Sequence, residues 1–362
     1  QDGTLFGDLW NQLNPDNPCC TPNANIDVSG IEGPLPNDDV EGMGITWTNT
    51  WQVNDLLEFK SITGYRETEA LFGRDGDNSA LNYSGDIHDQ DHDQFSQELQ
   101  LVGTSGALEW VGGLYYFAED TRDLTDLIII QGLGTSVSFD NRQETTSYAA
   151  YAQASYAVND QLDIFAGIRY TEEEKDFTQQ ISNYDFGVPH VFAIPGVPVS
   201  SCAFDEPTAY FDCSQDWSNT SPKVGASWQV NDGVMAYAHV SRGFRSGGYN
   251  GRAFGSAADL QEYEPEILTG YEAGIKADLL GRSLRLNGAV FYNDYEDIQV
   301  LITRAGSVAV ENASNASIEG VELEATWLPV EAFQLQAGIG YLNDDSGGWV
   351  DVTGDYTGTE LK

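Results

Sequence analysis

The runs YEAGIKADL (271–279), LRLNGAVFYN (284–293) and VELEATW (321–327), all within Tyr263–Trp327, decide how this chain folds. In the first, Tyr271, Ala273, Ile275, Ala277 and Leu279 share one parity, and Glu272, Gly274, Lys276 and Asp278 take the other. In the second, Leu284, Leu286, Val290 and Tyr292 alternate with Arg285, Asn287 and Asn293. In the third, Val321, Leu323, Ala325 and Trp327 alternate with Glu322, Glu324 and Thr326. A period of two means a strand with one apolar and one polar face. Soluble strands mostly run about five or six residues. Runs near ten fit the ~9–11 tilted residues that carry a β-strand across a bilayer. The expectation is an all-β protein, a transmembrane antiparallel β-barrel that is apolar outside and polar inside.

Working outward, the same hairpin grammar recurs. Alternating pairs are expected at 45–53 with 56–72, 95–102 with 107–119, 146–158 with 161–177, 223–230 with 234–244, 271–279 with 284–293, and 318–327 with 333–341. Six tight turns near residues 54, 105, 159, 232, 281 and 330 join them, at intervals of roughly 49 to 73 residues. Three turns share a spelling, WQVND at 51–55 and 228–232 and YAVND at 156–160. Much longer connections, such as Ser182 to Trp217, lie between the pairs. Short turns on one side and long loops on the other are the layout of outer-membrane barrels. A soluble sandwich would place turn signals every 8–12 residues or so. Trp51, Tyr156, Trp228 and Trp327 each stand a few residues before a tight turn, where an interfacial aromatic girdle belongs.

Composition agrees with that class. Of the 362 residues, 41% are hydrophobic and 12% aromatic, with 38 Gly and only 2 Met. No run approaches the ~18–20 apolar residues of a membrane helix. Sixteen Lys and Arg against 57 Asp and Glu give a net charge of −41, which excludes nucleic acid as a partner. The acidity reads as solvated outer loops, with calcium in those loops as the sharper alternative. No zinc-type pair-of-pairs spacing occurs among Cys19, Cys20, Cys202 and Cys213. Cys202 and Cys213 lie in one polar loop and could close a short disulfide, while the pairing of Cys19 and Cys20 stays open. The chain opens on Gln1-Asp2-Gly3-Thr4 and ends in loop-like sequence, so both ends are expected to be cuts within a longer protein.

The residues then resemble a known family. SPKVGASWQVND (221–232), AYAHVSRGFRSGGYN (236–250), YEPEILTGYEAGIKADLLGRSLRLNGAVFYNDYEDIQV (263–300), ENASNASIEGVELEATW (311–327) and LQAGIGYLND (335–344) resemble, in this order, the barrel of TonB-dependent receptors. The resemblance is strong over 221–344, fair over 95–177 and weak before residue 40. It implies a 22-stranded plugged barrel of which twelve strands are visible here. The implied organisation is an extracellular loop segment over 1–40, partial barrel over 41–344 and the start of a further loop over 345–362. The plug and the box that binds TonB are expected outside this chain. The implied function is uptake of a scarce ligand across the outer membrane of a Gram-negative bacterium, foremost an iron–siderophore complex. A glycan or other organic nutrient is the alternative cargo. The implied partners are outer-membrane lipid, TonB through the plug and the ligand, with the protein a monomer.

Candidate sites follow from residue chemistry. Arg242, Arg245 and Arg252, at the loop end of a strand in a cation-poor chain, could pair an anionic ligand, or else a lumen carboxylate network or the plug. Tyr210, Phe211 and Trp217 could stack on a ligand ring or pack their own loop around the cysteines. Asp75 and Asp77, with His88 and His92 in the DIHDQDHD run (86–93), offer metal-ligand chemistry within what reads by default as a solvated acidic loop. No GxSxG, phosphate-loop or HExxH pattern occurs, so no enzyme activity is expected. Two other classes stay open, a passive diffusion porin and a soluble acidic carbohydrate-binding β-protein.

Overall fold

The computed structural model describes residues 38–75, 85–130, 135–185, 188–191, 202–205, 210–251, 262–304, 307–330, 332–346, 350–351 and 354–355. Cys19, Cys20, Asp77 and Arg252 lie outside the described residues.

The expected hairpins all form. β1 (Asp39–Asn54) pairs with β2 (Leu57–Asp75), β3 (Gly85–Ser105) with β4 (Leu108–Ile130), and β5 (Thr135–Asn159) with β6 (Leu162–Asp185). Short strands β7 (Val188–Val191) and β8 (Cys202–Asp205) follow, on β6 and on β9 (Tyr210–Asn231) respectively. β10 (Val234–Arg245) returns beside β9, and a two-residue pair, β11 (Gly248–Tyr249) and β12 (Glu262–Tyr263), leads into β13 (Glu266–Leu279) and β14 (Leu284–Glu296). A small outer hairpin, β15 (Gln299–Arg304) and β16 (Ser307–Asn312), precedes β17 (Ala316–Val330) and β18 (Phe333–Ser346). The last described residues form the pair β19 (Val350–Asp351) and β20 (Gly354–Asp355).

The wall runs β1-β2-β3-β4-β5-β6-β9-β10-β13-β14-β17-β18, antiparallel throughout. Among the described residues β1 and β18 do not pair with each other. Tight turns lie on one side. That between β13 and β14 holds Leu280, Gly281 and Arg282 at φ of 52°, 69° and 70°. Only Gly281 adopts this left-handed region without steric cost.

The strands are longer at their loop ends than alternation predicts, reaching Asp75, Ile130 and Asp185. The run at 86–93, expected as a loop, is part of β3 and is paired on both sides. The physical reason is that beyond the bilayer both faces of a strand are wet, so the apolar half of the pattern disappears while the backbone ladder continues. Likewise the connection between the expected strands at 284–293 and 318–327 carries the β15–β16 hairpin.

Register assigns every side chain to a face. Val224, Val240, Tyr271 and Tyr292 lie in one outward row, and Ala226, Ala238, Ala273 and Val290 in the row below. Trp51, Tyr156, Trp228 and Trp327 are all exposed on this face near the tight turns. A second belt was missed by the sequence reading. Tyr65, Tyr116, Tyr170, Tyr271, Tyr292 and Tyr341 each stand at the ninth residue from the tight-turn end of their strand, counting from Leu57, Leu108, Leu162, Leu279, Leu284 and Phe333. Eight steps make about 26 Å of strand, or roughly 20 Å of height at a ~40° tilt, close to the ~25 Å apolar band of such barrels. Counting upward from each turn would have revealed it. Two residues above the belt, on the same face, stand Glu67, Glu172 and Asp294, with Asp93 above Phe95 and Glu319 above Val321.

The lumen face is polar. Arg169 lies over the Tyr115 ring at 5.2 Å and the Tyr151 ring at 5.8 Å, and Tyr151 donates its hydroxyl hydrogen bond to Glu98. Nearly all large buried apolar side chains sit instead at the loop end, among them Phe139, Phe177, Ile181, Phe211 and Trp217.

Candidate functional site

The loop end of the lumen is built around residues 246–251, which leave β10 and fold back across the inner face of β9, β6 and β5. Lys175 Nζ donates to the Gly247 carbonyl at 2.8 Å and lies 5.7 Å from the centre of the Trp217 ring. Gln179 and Asn141 both donate to the Gly251 carbonyl, at 2.7 and 2.9 Å. The Tyr249 ring stacks on Phe177 at 5.4 Å and tilts against Trp217 at 6.5 Å. Alternation explains the assembly, since Asn141, Lys175, Phe177, Gln179 and Trp217 all occupy inward positions of their strands.

From the other side the outer hairpin clamps the same strap. Asn250 Nδ2 donates to the Val310 carbonyl at 2.9 Å and Val310 N donates to Asn250 Oδ1 at 2.6 Å. Gln299 Nε2 reaches the carbonyls of Ser246 and Glu264. Below the strap a disulfide joins Cys202 to Cys213, whose strands pair at that position.

Each expected site residue now has a place. Of the two readings left open for them, Trp217 and Phe211 take the packing one: both are buried at the loop end. Tyr210 is exposed but takes the opposite parity on β9, so it does not join Trp217. Arg245, opposite Glu266, is exposed on the lumen side. Burial pushes the nearby Tyr263 hydroxyl above its ordinary pKa, and the positive charge of Arg245 partly offsets this. Arg242 lies on the outward face with Val240 and Ala238, so it does not act with Arg245 at the mouth. The reason is the odd, three-residue spacing between 242 and 245, which a strand converts into opposite faces.

The histidines are also separated. His88 and His92 both face the lumen, yet four residues of extended strand put them about 13 Å apart. His88 is buried, stacked on Phe72 at 4.8 Å, with Nε2 3.2 Å from Asp86 and Nδ1 3.0 Å from Thr125 Oγ1. His92 Nε2 lies 3.0 Å from Glu119. Asp75 stands opposite Gly85 at the end of its ladder. Among the described residues no group of three or more His, Cys, Asp or Glu side chains is arranged to hold a metal ion. Burial tends to raise the Asp86 carboxyl, but hydrogen bonds from Arg74 and His88 outweigh it and hold the group below its ordinary pKa.

The family model described as TonB dependent receptor-like, beta-barrel matches residues 1–361. The chain belongs to the TonB-dependent receptor family through its barrel domain. Members of this family are outer-membrane proteins of Gram-negative bacteria, and that is where the chain resides. It is 24% identical over 236 residues to the pesticin receptor of Yersinia pestis, an alignment covering 64% of this chain and 31% of that protein. Its fold resembles the ferric yersiniabactin uptake receptor FyuA of Yersinia pestis, with a TM-score of 0.69 at 18% identity over 87% of this chain and 44% of that one. The copper transporter OprC gives a TM-score of 0.61 at 13% identity over 85% and 46%. The chain thus spans about a third of the curated relatives it matches.

Proposed function

We propose that this chain forms part of the wall of a TonB-dependent receptor that takes up an iron–siderophore complex. The observation that carries the reading is the family match along residues 1–361, with relatives named for pesticin and ferric yersiniabactin. The mouth geometry supports it. A strap fixed by hydrogen bonds from both sides gives the outer lumen a shaped rim, and Arg245 beside Tyr263 offers a cation and a ring to an anionic, aromatic ligand. Capture needs no covalent step, so the protein acts as a receptor and not as an enzyme. Release into the periplasm draws on the inner membrane through TonB acting on a plug domain.

The test is growth of a strain lacking the intact gene, with single ferric siderophores as the sole iron source. Loss of growth on one siderophore, restored by the intact gene and weakened several-fold in uptake by Arg245→Ala, is the expected result. Equal growth on every ferric siderophore would sink the reading. The fold shared with a copper transporter makes copper the competing cargo, so radiolabelled copper uptake is measured in the same strains.

A further inference from the structure

The outward face carries a feature that capture at the mouth does not use. Across β9, β10 and β13, Ala226, Ala238 and Ala273 are direct register partners. Three small side chains side by side lower the surface there. The row above is taller, because Val224, Val240, Tyr271 and Tyr292 are also aligned. The result is an open apolar groove of about 710 Å³ on the membrane-facing wall, floored by the alanines and roofed by Tyr271 and Tyr292. It lies between the two aromatic belts, with Trp228 one row below and the tyrosine pair at its top. At that height the medium is lipid, so its occupant is an acyl chain rather than a protein segment.

Directly above the groove stands Arg242, two residues beyond Val240 on the same face and opposite Thr269. It is half-buried, with Phe244 and Ile267 paired over it. Among the described residues it makes no hydrogen bond or ion pair. On the described wall strands Arg122 and Arg142 also face outward and are engaged differently. Arg122 binds Asp140 through both Nε and Nη2 at 3.0 Å, and Arg142 lies 3.9 Å from the same carboxylate. Two residues above the belt row, the outward face carries Glu67, Asp93, Glu172, Asp294 and Glu319. A phosphate approaching the wall at that level is repelled at these five strands and attracted to Arg242.

We propose that Arg242 and the alanine-floored groove form a binding site for one phosphate-bearing acyl lipid of the outer leaflet. The guanidinium takes the phosphate in a two-pronged hydrogen bond, for which its planar fork is suited. The proximal part of one chain fills the groove against Ala238 and Tyr271. The low dielectric of the headgroup zone strengthens the pairing relative to water. Membrane residence is the only premise; the identity of the transported ligand does not enter.

The test uses the intact receptor, delipidated in mild detergent and titrated by native mass spectrometry with lipid A, dephosphorylated lipid A and inorganic phosphate. One lipid A is expected to be retained per barrel. Arg242→Gln should weaken retention at least fivefold, and Ala238→Phe, which fills the groove, should weaken it similarly. Arg142→Gln should leave it unchanged. Folding of each variant is read from heat-dependent gel mobility, and Arg242→Gln suffices if Ala238→Phe does not fold. Folded Arg242→Gln retaining lipid A as tightly as the unaltered protein overturns the proposal. So does equal retention of dephosphorylated lipid A, or inorganic phosphate binding at Arg242 as strongly as the lipid.

Discussion

Asn250 and Val310 exchange two hydrogen bonds across 60 residues of sequence, the side-chain amide of one imitating the backbone edge of a strand for the other. This pair fastens the strap at 246–251 to the outer hairpin. Replacing Asn250 with Ala removes both bonds and leaves the Val310 donor and acceptor without them, at a cost of about 1–3 kcal/mol. Limited proteolysis should then cut within 246–251 or 299–312 while the wall remains intact. An unchanged cleavage pattern would show that the remaining bonds from Gln299, Lys175 and Gln179 hold the strap alone.

The disulfide below the strap bears on the same region. Cys202 and Cys213 are separated by 11 residues, and a closed loop of that size stabilises by about 3 kcal/mol or less in the chain-entropy view. Replacing both cysteines with serine should raise hydrogen exchange over 202–217. The β13–β14 hairpin should exchange as before, because the two regions share no ladder.

The Arg74–Asp86–His88 cluster predicts a local pH response. Asp86 is held below its ordinary pKa, so its ionised form contributes stability above about pH 4, and the contribution is lost as pH falls through the lowered value. Arg74 is more than half exposed, which limits the effect to about 1 kcal/mol or less after solvent screening. Hydrogen exchange over 85–93, corrected for intrinsic rate, should rise between pH 5 and pH 3. In Arg74→Gln the rise should be smaller, and an equal rise would remove Arg74 from the account.

The face assignment itself can be tested with two arginines. Ile168 is exposed on the outward face between the belts, and its register neighbour on β5 is Ala152, whereas Gln153 faces the lumen. Ile168→Arg should destabilise folding into lipid vesicles by about 1–3 kcal/mol, below the full midplane cost because Ile168 lies one row under the Tyr170 belt. Gln153→Arg should change it by less than about 1 kcal/mol, since the lumen is wet. A larger cost for Gln153→Arg would mean that the faces are reversed, and equal costs would remove the assignment.

Most of the wall was legible in the sequence. The period-two runs at 271–279, 284–293 and 321–327 are strands, and the other expected pairs occur in the same order. That information is local: a bilayer demands an apolar face of fixed length, and each strand writes it out in its own residues. The loop-end halves of β3, β5 and β9 were not legible, because there water lies on both faces and nothing enforces alternation. The DIHDQDHD run, read as loop, is strand for this reason.

The candidate sites divided along the same line. That Arg242 and Arg245 differ in parity is written in the sequence, yet which parity meets lipid is fixed by the neighbouring strands β9 and β13. Whether Trp217 meets a ligand or its own loop stayed open in the sequence, because its own strand is polar. It is buried by Tyr249 and Gly247, which arrive from the far end of another strand. The chain by itself therefore determined the hairpins, their sidedness and the membrane as solvent, all set by interactions between residues near in sequence. Only the tertiary structure decided the strap, the mouth and the groove beneath Arg242, because each is made where register brings together residues from different hairpins.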